Sequence, residues 1–345
     1  MKKLFALSLA LLMVASLVAC SAGAPSSGPA TSGDKLRVAL LLPGSLNDGG
    51  WNAAAYKGLM DLKEEGYEVA FTESVAISAI EETMHNYAAE KFDLIVGHGF
   101  EFGEPAMRVA PQYEGVNFFV SGKMPDGVTA ETIPANVGFM DMREYEAAYL
   151  AGIIAGGMTK SNIIGYIAGL EIPSQLSNMA GFVMGVELAN PDAKVYGVVT
   201  GTFEDPAKGK EAALAQMDMG ADLIAQSADS TGMGAFEAVK EREGVLLIGY
   251  GGDQYDIAPD RVLTCFITDN AEVIKLQAKR IEDGTFGGLW EPGVVDGTCF
   301  ISPYHDFADV IPKEIQDMVD DAKAKIASGE LVVPYTLERI DEKMG

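Results

Sequence analysis

The sequence predicts an α/β protein of two lobes, each a mostly parallel sheet flanked by helices. Three observations predict it: short apolar runs recur from residue 35 onward, helical-period segments separate them, and the series occurs twice. The first series is LRVALLL (36–42), EVAFTE (68–73), FDLIVG (92–97) and VNFFVSG (116–122). The second is NIIGYIAG (162–169), KVYGVVTG (194–201), ADLIAQSA (221–228) and VLLIGYGG (245–252). Nearly continuous β-branched and leucine-rich runs are what strands covered on both faces require. The segments between them, NAAAYKGLMDLKEEG, SAIEETMHNYAAEK, EYEAAYLAGIIAGGM, LSNMAGFVMGVELAN, AKGKEAALAQMDMG and AFEAVKEREG, carry helical spacing. Several stop at glycine, the usual helix terminator. Such alternation implies right-handed βαβ units. RVLTCFITDN with NAEVIKLQAKRIEDG adds one more strand–helix pair, and DFADVIPKEIQDMVDDAKAKIASGE a final amphipathic helix. The first lobe is expected to span 35–140 plus about 252–292, and the second 141–251 plus about 293–345.

The N-terminus reads as a targeting segment. Lys2 and Lys3 precede an apolar stretch from Leu4 to Val18 that is too short for a comfortable membrane span. Residues 1–19 are therefore expected to be a signal peptide. Leu17-Val18-Ala19-Cys20 resembles a bacterial lipoprotein box, which implies cleavage before Cys20 and lipid on its sulfur. Residues 21–34, rich in Gly, Pro and Ser, then form a flexible tether. An acyl anchor needs no membrane-spanning helix, so any membrane link would be covalent.

Composition excludes several function classes. Apolar residues make up 48% and charged residues 22%, as in an ordinary globular protein with a real core. The net charge of −25 is spread along the chain. Such a surface repels phosphate backbones and argues against nucleic acid as a partner. Beyond Cys20 only Cys265 and Cys299 remain, able either to pair or to serve as apolar core residues. Catalytic patterns are missing: no phosphate-binding Gly-Lys-Ser/Thr order, no Gly-x-Ser-x-Gly elbow, and no third glycine after Gly97-His98-Gly99. His85, His98 and His305 lack metal-ligand spacing. His85 and His305 read as solvent-facing, whereas His98 lies in a strand-end turn and suits either a pocket wall or a satisfied structural role. The chemistry favours binding over catalysis, with neither cofactor nor metal.

Glycine-rich turns follow several strands: LLPGSLNDGG, IVGHGFEFGE, VVTGTFEDP and LIGYGGDQ. In open α/β sheets ligands gather outside the carboxyl ends of strands, so these turns are the expected site lining. The run VALLLPGSLNDGGWNAAAYKGL resembles the first strand, loop and helix of the basic membrane protein family of ABC-transporter substrate-binding lipoproteins. FDLIVGHGFEFGEPAMRVAPQYEGVNFF, YLAGIIAGGMTKSNIIGYIAG, NPDAKVYGVVTGTFEDPAKGKEAALAQMDMGADLIAQ and IGYGGDQ continue the resemblance in order along the chain.

The resemblance implies a type I periplasmic-binding-protein fold and a purine nucleobase or nucleoside held between two lobes. It further implies an ABC permease and ATPase as partners, and an extracytoplasmic, lipid-anchored monomer. It matches Trp51 and Phe203 to the two rings that sandwich the base, the geometry in which aromatic faces gain offset stacking. Trp51 also suits a hydrophobic staple at a helix start, and Phe203 packing within its own lobe. Asn47, Asp48 and Asn52 are candidates to read ring nitrogens and amines; Gly99, Phe100 and Ser121 complete the first-lobe lining. Asp205-Pro206 reads as a helix cap. Family members carry Gly-Val-Asp-x-Asp-Gln where this chain has Gly249-Tyr250-Gly251-Gly252-Asp253-Gln254, and a Lys near Thr268. Gly251 and Thr268 thus stand where a carboxylate and an ammonium would grip ribose, which leans the expectation toward a free base. Asp253 remains as a ligand or hinge residue. A ligand sensor for a signalling receptor, or a binder of riboflavin or another flat heterocycle, is the alternative.

Overall fold

Each sheet begins in its middle and grows outward. In the computed structural model residues 35–46 and 51–333 are described, so the expected signal peptide, tether and extreme C-terminus lie outside the described residues. The first lobe opens with β1 (Arg37–Leu41), α1 (Trp51–Glu64), β2 (Glu68–Thr72), α2 (Ile80–Ala89), β3 (Leu94–Gly97), α3 (Gly103–Val109), β4 (Asn117–Val120) and β5 (Val137–Met140). The chain then crosses to α4 (Glu144–Met158), β6 (Ile163–Ala168), α5 (Pro173–Ala189), β7 (Lys194–Val199), α6 (Pro206–Asp218), β8 (Leu223–Ser227), α7 (Asp229–Lys240), β9 (Leu246–Gly251) and β10 (Val262–Thr268). It returns through α8 (Asn270–Glu282) and β11 (Gly288–Trp290), and ends in the second lobe with β12 (Cys299–Ile301) and α9 (Lys313–Ser328). The strand orders are β11-β5-β4-β3-β1-β2 and β12-β10-β9-β8-β6-β7. Among the described residues only the β10–β12 pairing is antiparallel.

The continuous apolar runs have the expected cause. On β1, Ala39 and Leu41 pack with Ile80, Met84 and Phe102, while Val38 and Leu40 pack with Leu59 and Ile274 on the other face. Both faces are covered, so no polar alternation appears. The edge strands β2 and β7 depart from this reading: most of their residues are half-buried or exposed, because each has a neighbour on one side only.

Helices α4 and α5 approach so closely that glycines carry the contact. A Cβ built on Gly152 would lie 2.1 Å from the Phe182 carbonyl oxygen, and one on Gly185 2.0 Å from that of Tyr149. Both helices are buried nearly all round, which only small residues permit at this separation.

The lobes are joined by three crossings laced together by backbone hydrogen bonds. Asp141 N–H donates to the Trp290 carbonyl (2.9 Å), Arg143 N–H to that of Pro292 (2.7 Å), and Asp269 N–H to that of Thr298 (2.7 Å). Sequence reading returns the chain to the first lobe near residue 252. The sheet places that return after Thr268, because β10 pairs with β9 and extends the second sheet. The apolar run of β10 shows only that it is a buried strand; which sheet receives it is decided by its partner.

Replacing Gly152 by Val forces a side chain into backbone. Overpacking costs about 1–3 kcal/mol, and each kcal/mol lowers Tm by roughly 1–2 °C in a chain of this length. A thermal melt followed by far-UV circular dichroism is expected to show that drop; an unchanged Tm would contradict the close helix contact.

Candidate functional site

Where a doubly wound sheet reverses its order, consecutive connections leave on opposite faces and a crevice opens at the carboxyl ends. In the first sheet the reversal falls between β1 and β3, and in the second between β6 and β8. The strands β5 and β10 pass at their carboxyl ends directly into the interlobe crossings, so both crevices border the hinge.

The first crevice is spanned by aromatic rings. Trp51, the first residue of α1, follows β1; His98 immediately follows β3. Their rings stack with centroids 4.2 Å apart and planes 19° from parallel. Trp51 lies on the same helical face as Ala55, Leu59 and Leu62, one turn beyond the core, and is half-buried. His98 is fully buried. Its Nε2 lies 3.0 Å from the Trp51 carbonyl oxygen. That oxygen can only accept, so Nε2–H donates. Nδ1 then accepts from the Ser121 hydroxyl at 2.6 Å. Ser121 sits just past β4 and is itself buried.

The other first-lobe candidates surround this stack. Asn52 is buried, with its amide nitrogen 2.9 Å from where a Gly44 Cβ would stand, so Gly44 packs closely against it. Gly99 adopts φ +150°, and Glu101 occupies the space a Cβ would need. Phe100 is 79% exposed, its backbone resting on Gly122. Asn47, Asp48 and Cys20 lie outside the described residues.

In the second lobe the loop after β7 folds back over β6. Gly201 and Thr202 N–H donate to the Gly169 carbonyl at 2.8 and 3.0 Å. The Phe203 ring then lies against Gly169, where any Cβ would come within 2.2 Å of it. Thr231 of α7 ties the loop down: its N–H donates to the Phe203 carbonyl (3.0 Å) and its hydroxyl to that of Thr202 (3.1 Å). Asp205 caps α6, accepting from the N–H groups of Ala207 and Lys208, as its sequence position implies.

The remaining candidates differ in kind. Gly251 has φ +86° and open space around the position of a Cβ. Asp253 is engaged locally: one oxygen lies 2.8 Å from His305 Nε2 and the other accepts from Tyr255 N–H (3.2 Å). Tyr255 in turn stacks on His305 at 4.1 Å. Thr268 is buried at the end of β10, opposite Cys299. Cys265 and Cys299 are both buried free thiols, which resolves the two options left by the sequence. His85 is half-buried, with Nδ1 3.0 Å from the Tyr113 hydroxyl, rather than solvent-facing.

Sequence reading passes over a buried polar network beneath the second-lobe strand ends. Glu144 Oε2 accepts from Asn178 Nδ2 (2.8 Å) and the Tyr250 hydroxyl (3.0 Å). Nearby, the Tyr166 hydroxyl donates to Ser227 Oγ (3.0 Å), which donates to Gln175 Oε1 (2.7 Å). Burial pushes the Glu144 carboxyl above its ordinary value of 4.5, against those two hydrogen bonds and with Asp229 and Asp141 adding to the rise. The advance signal is a pair of carboxylates, Glu144 and Glu146, in the first turn of a helix that is apolar from Ala147 onward but for Tyr149.

Two mostly parallel sheets of this topology, joined by a laced hinge, have the type I periplasmic-binding-protein fold. Residues 35–336 match the family described as ABC transporter substrate-binding protein PnrA-like, and the chain belongs to that family. It is similar to a purine-binding protein of Brucella abortus, 29% identical over 93% of this chain and 89% of that protein. It is also 29% identical to the ABC transporter nucleoside-binding protein BmpA of Lactococcus lactis, over 96% of this chain and 99% of that protein. Among solved structures it resembles an ABC transporter solute-binding protein of Conexibacter woesei: TM-score 0.73, 31% identity, 87% of this chain and 99% of the other. The family is one of binding proteins, not enzymes.

Glu144 gives a test of pH dependence. Its folded-state pKa is raised, so its contribution to stability is largest below the ordinary carboxylate value and falls as pH rises toward the raised one. Glu144→Gln keeps an acceptor for Asn178 and Tyr250 without the buried charge. The variant is expected to melt above the parent at neutral pH, with the gap closing toward acid. A gap that widened in acid would contradict the burial effect.

Proposed function

We propose that the protein captures a flat, uncharged heterocycle, a purine nucleobase before a nucleoside, and presents it to an ABC permease. The observation that carries this reading is the Trp51 ring, stacked on His98 across the first-lobe crevice and half-buried. A second ring, Phe203, is seated at the second-lobe strand ends. Each ring can bury one face of a base and gain stacking beyond that burial. The relatives named for purine and nucleoside binding support the same class.

The base is preferred over the nucleoside because the sugar side lacks its polar anchors. Gly251 offers no carboxylate, Thr268 is a short buried hydroxyl, and Asp253 is committed to His305 and Tyr255. A charge-assisted grip on ribose hydroxyls would need such groups. Lobe closure about the three crossings would be stabilised by a ligand that touches both rings. With Cys20 acylated, the protein would work at the outer face of the cell membrane.

Three measurements test the proposal. Mass spectrometry of material released on denaturation is expected to find a purine. A thermal-shift panel is expected to rank adenine, hypoxanthine and guanine above their ribonucleosides, with sugars and amino acids inactive; a response confined to sugars would reject the stacking site. Base stacking is worth about 1–3 kcal/mol per ring by alanine substitution, so Trp51→Ala should weaken binding of the best purine roughly 5- to 150-fold. Gly169→Val must displace Phe203 and should weaken it comparably. Calorimetric titration reads both, and full affinity in both variants would mean that neither ring lines the site.

A further inference from the structure

Resting on the proposed reading of Trp51 as a ligand wall, we infer that His98 and Ser121 form a positioning pair that fixes this ring before ligand arrives. Trp51 continues the apolar face of α1 formed by Ala55, Leu59 and Leu62. The His98 ring packs flat against its indole. The imidazole is anchored through both of its nitrogens: Nε2–H on the Trp51 carbonyl at 3.0 Å, and Nδ1 on the Ser121 hydroxyl at 2.6 Å. Rotation of His98 about its ring axis would break both bonds. Its plane is therefore set by β1, β3 and β4 together, since the three anchor points follow those strands.

The consequence is a one-sided platform. The imidazole covers one indole face at a centroid distance of 4.2 Å, and on the proposed reading the ligand takes the other. A rigid ring spares the ligand the ordering of a mobile side chain, an advantage of roughly 3- to 10-fold in affinity. Ser121, a candidate ligand contact by sequence position, acts instead through His98, because its hydroxyl proton is directed at Nδ1. His98 and Ser121 are both more than nine-tenths buried, in keeping with positioning rather than direct contact.

The chain has two tryptophans, so Trp290→Phe leaves Trp51 as the sole indole reporter. In that background the ligand-free near-ultraviolet circular dichroism reports whether the Trp51 ring is held. His98→Ala is expected to weaken the indole bands strongly, Ser121→Ala partly, and Ser121→Thr to restore them. Titration with adenine is expected to show a 3- to 10-fold loss for His98→Ala, a smaller loss for Ser121→Ala, and recovery for Ser121→Thr. If Ser121→Ala weakens adenine binding while the ligand-free indole bands stay unchanged, Ser121 contacts the ligand directly and the inference fails. Unchanged bands in His98→Ala overturn it as well. Should His98→Ala misfold, the serine pair still decides. If the parent binds no purine, the proposed function falls, while the ligand-free spectra continue to test the positioning pair.

Discussion

The structure depends on one constraint: each parallel sheet starts from a central strand and is extended in both directions by right-handed connections. The helix after β1 and the segment after β3 must leave on opposite faces, and the same holds for β6 and β8. A crevice is left between the carboxyl ends at each of those two reversals. The crevices are thus a by-product of winding, and the loops beside them are free to carry function. Because β5 and β10 exit at the same ends into the interlobe crossings, the strand-end loops of both sheets lie on the side of those crossings.

The two crevices hold their rings by different means. Phe203 rests on bare backbone at Gly169, under a loop pinned by Thr231. Trp51 rests on another ring, itself pinned by hydrogen bonds. Beneath the second-lobe strand ends lie the paired networks of Glu144 with Asn178 and Tyr250, and Tyr166 with Ser227 and Gln175. Hydrogen-bonded polar groups in a low-dielectric setting resist rearrangement, and an unpaired carboxylate there would be far more costly. Glu144 is held by two donors from different elements, so α5 and β9 are tied to the first turn of α4, directly after a hinge crossing.

Much of this was legible in the sequence, and the illegible parts have physical reasons. Strands such as β1 and β8 announce themselves because burial on both faces enforces unbroken apolar runs. The capping role of Asp205 was equally plain, since the Asp-Pro order sets both the cap and the first helical turn. The three-residue strands β11 and β12 carry too few residues for any period to show. The sheet that receives β10 depends on a partner rather than on its own composition. Trp51 was conspicuous as an aromatic after two glycines, but its partner was not. His98 lies far along the chain, and either a pocket wall or a structural role suited it until the stack and its two hydrogen bonds were seen.

Charge narrows the ligand class from an independent direction. Fifty acidic residues against 25 basic ones give a net charge of −25, and a field of that sign disfavours anionic solutes approaching the cleft. The candidate positions in both lobes, from Trp51 and Ser121 to Phe203, Gly251 and Thr268, include no Lys or Arg to offset a phosphate. A nucleotide would therefore meet repulsion on approach and no Lys or Arg among these candidate positions. The remaining carboxylate on the sugar side, Asp253, is held by His305 and by the Tyr255 backbone, and the Tyr255–His305 stack stiffens that turn. Its charge is spent on shaping the segment after β9. On the proposed reading, Trp51 and Phe203 would give a ligand chiefly ring faces, which suit a neutral planar molecule better than a phosphate.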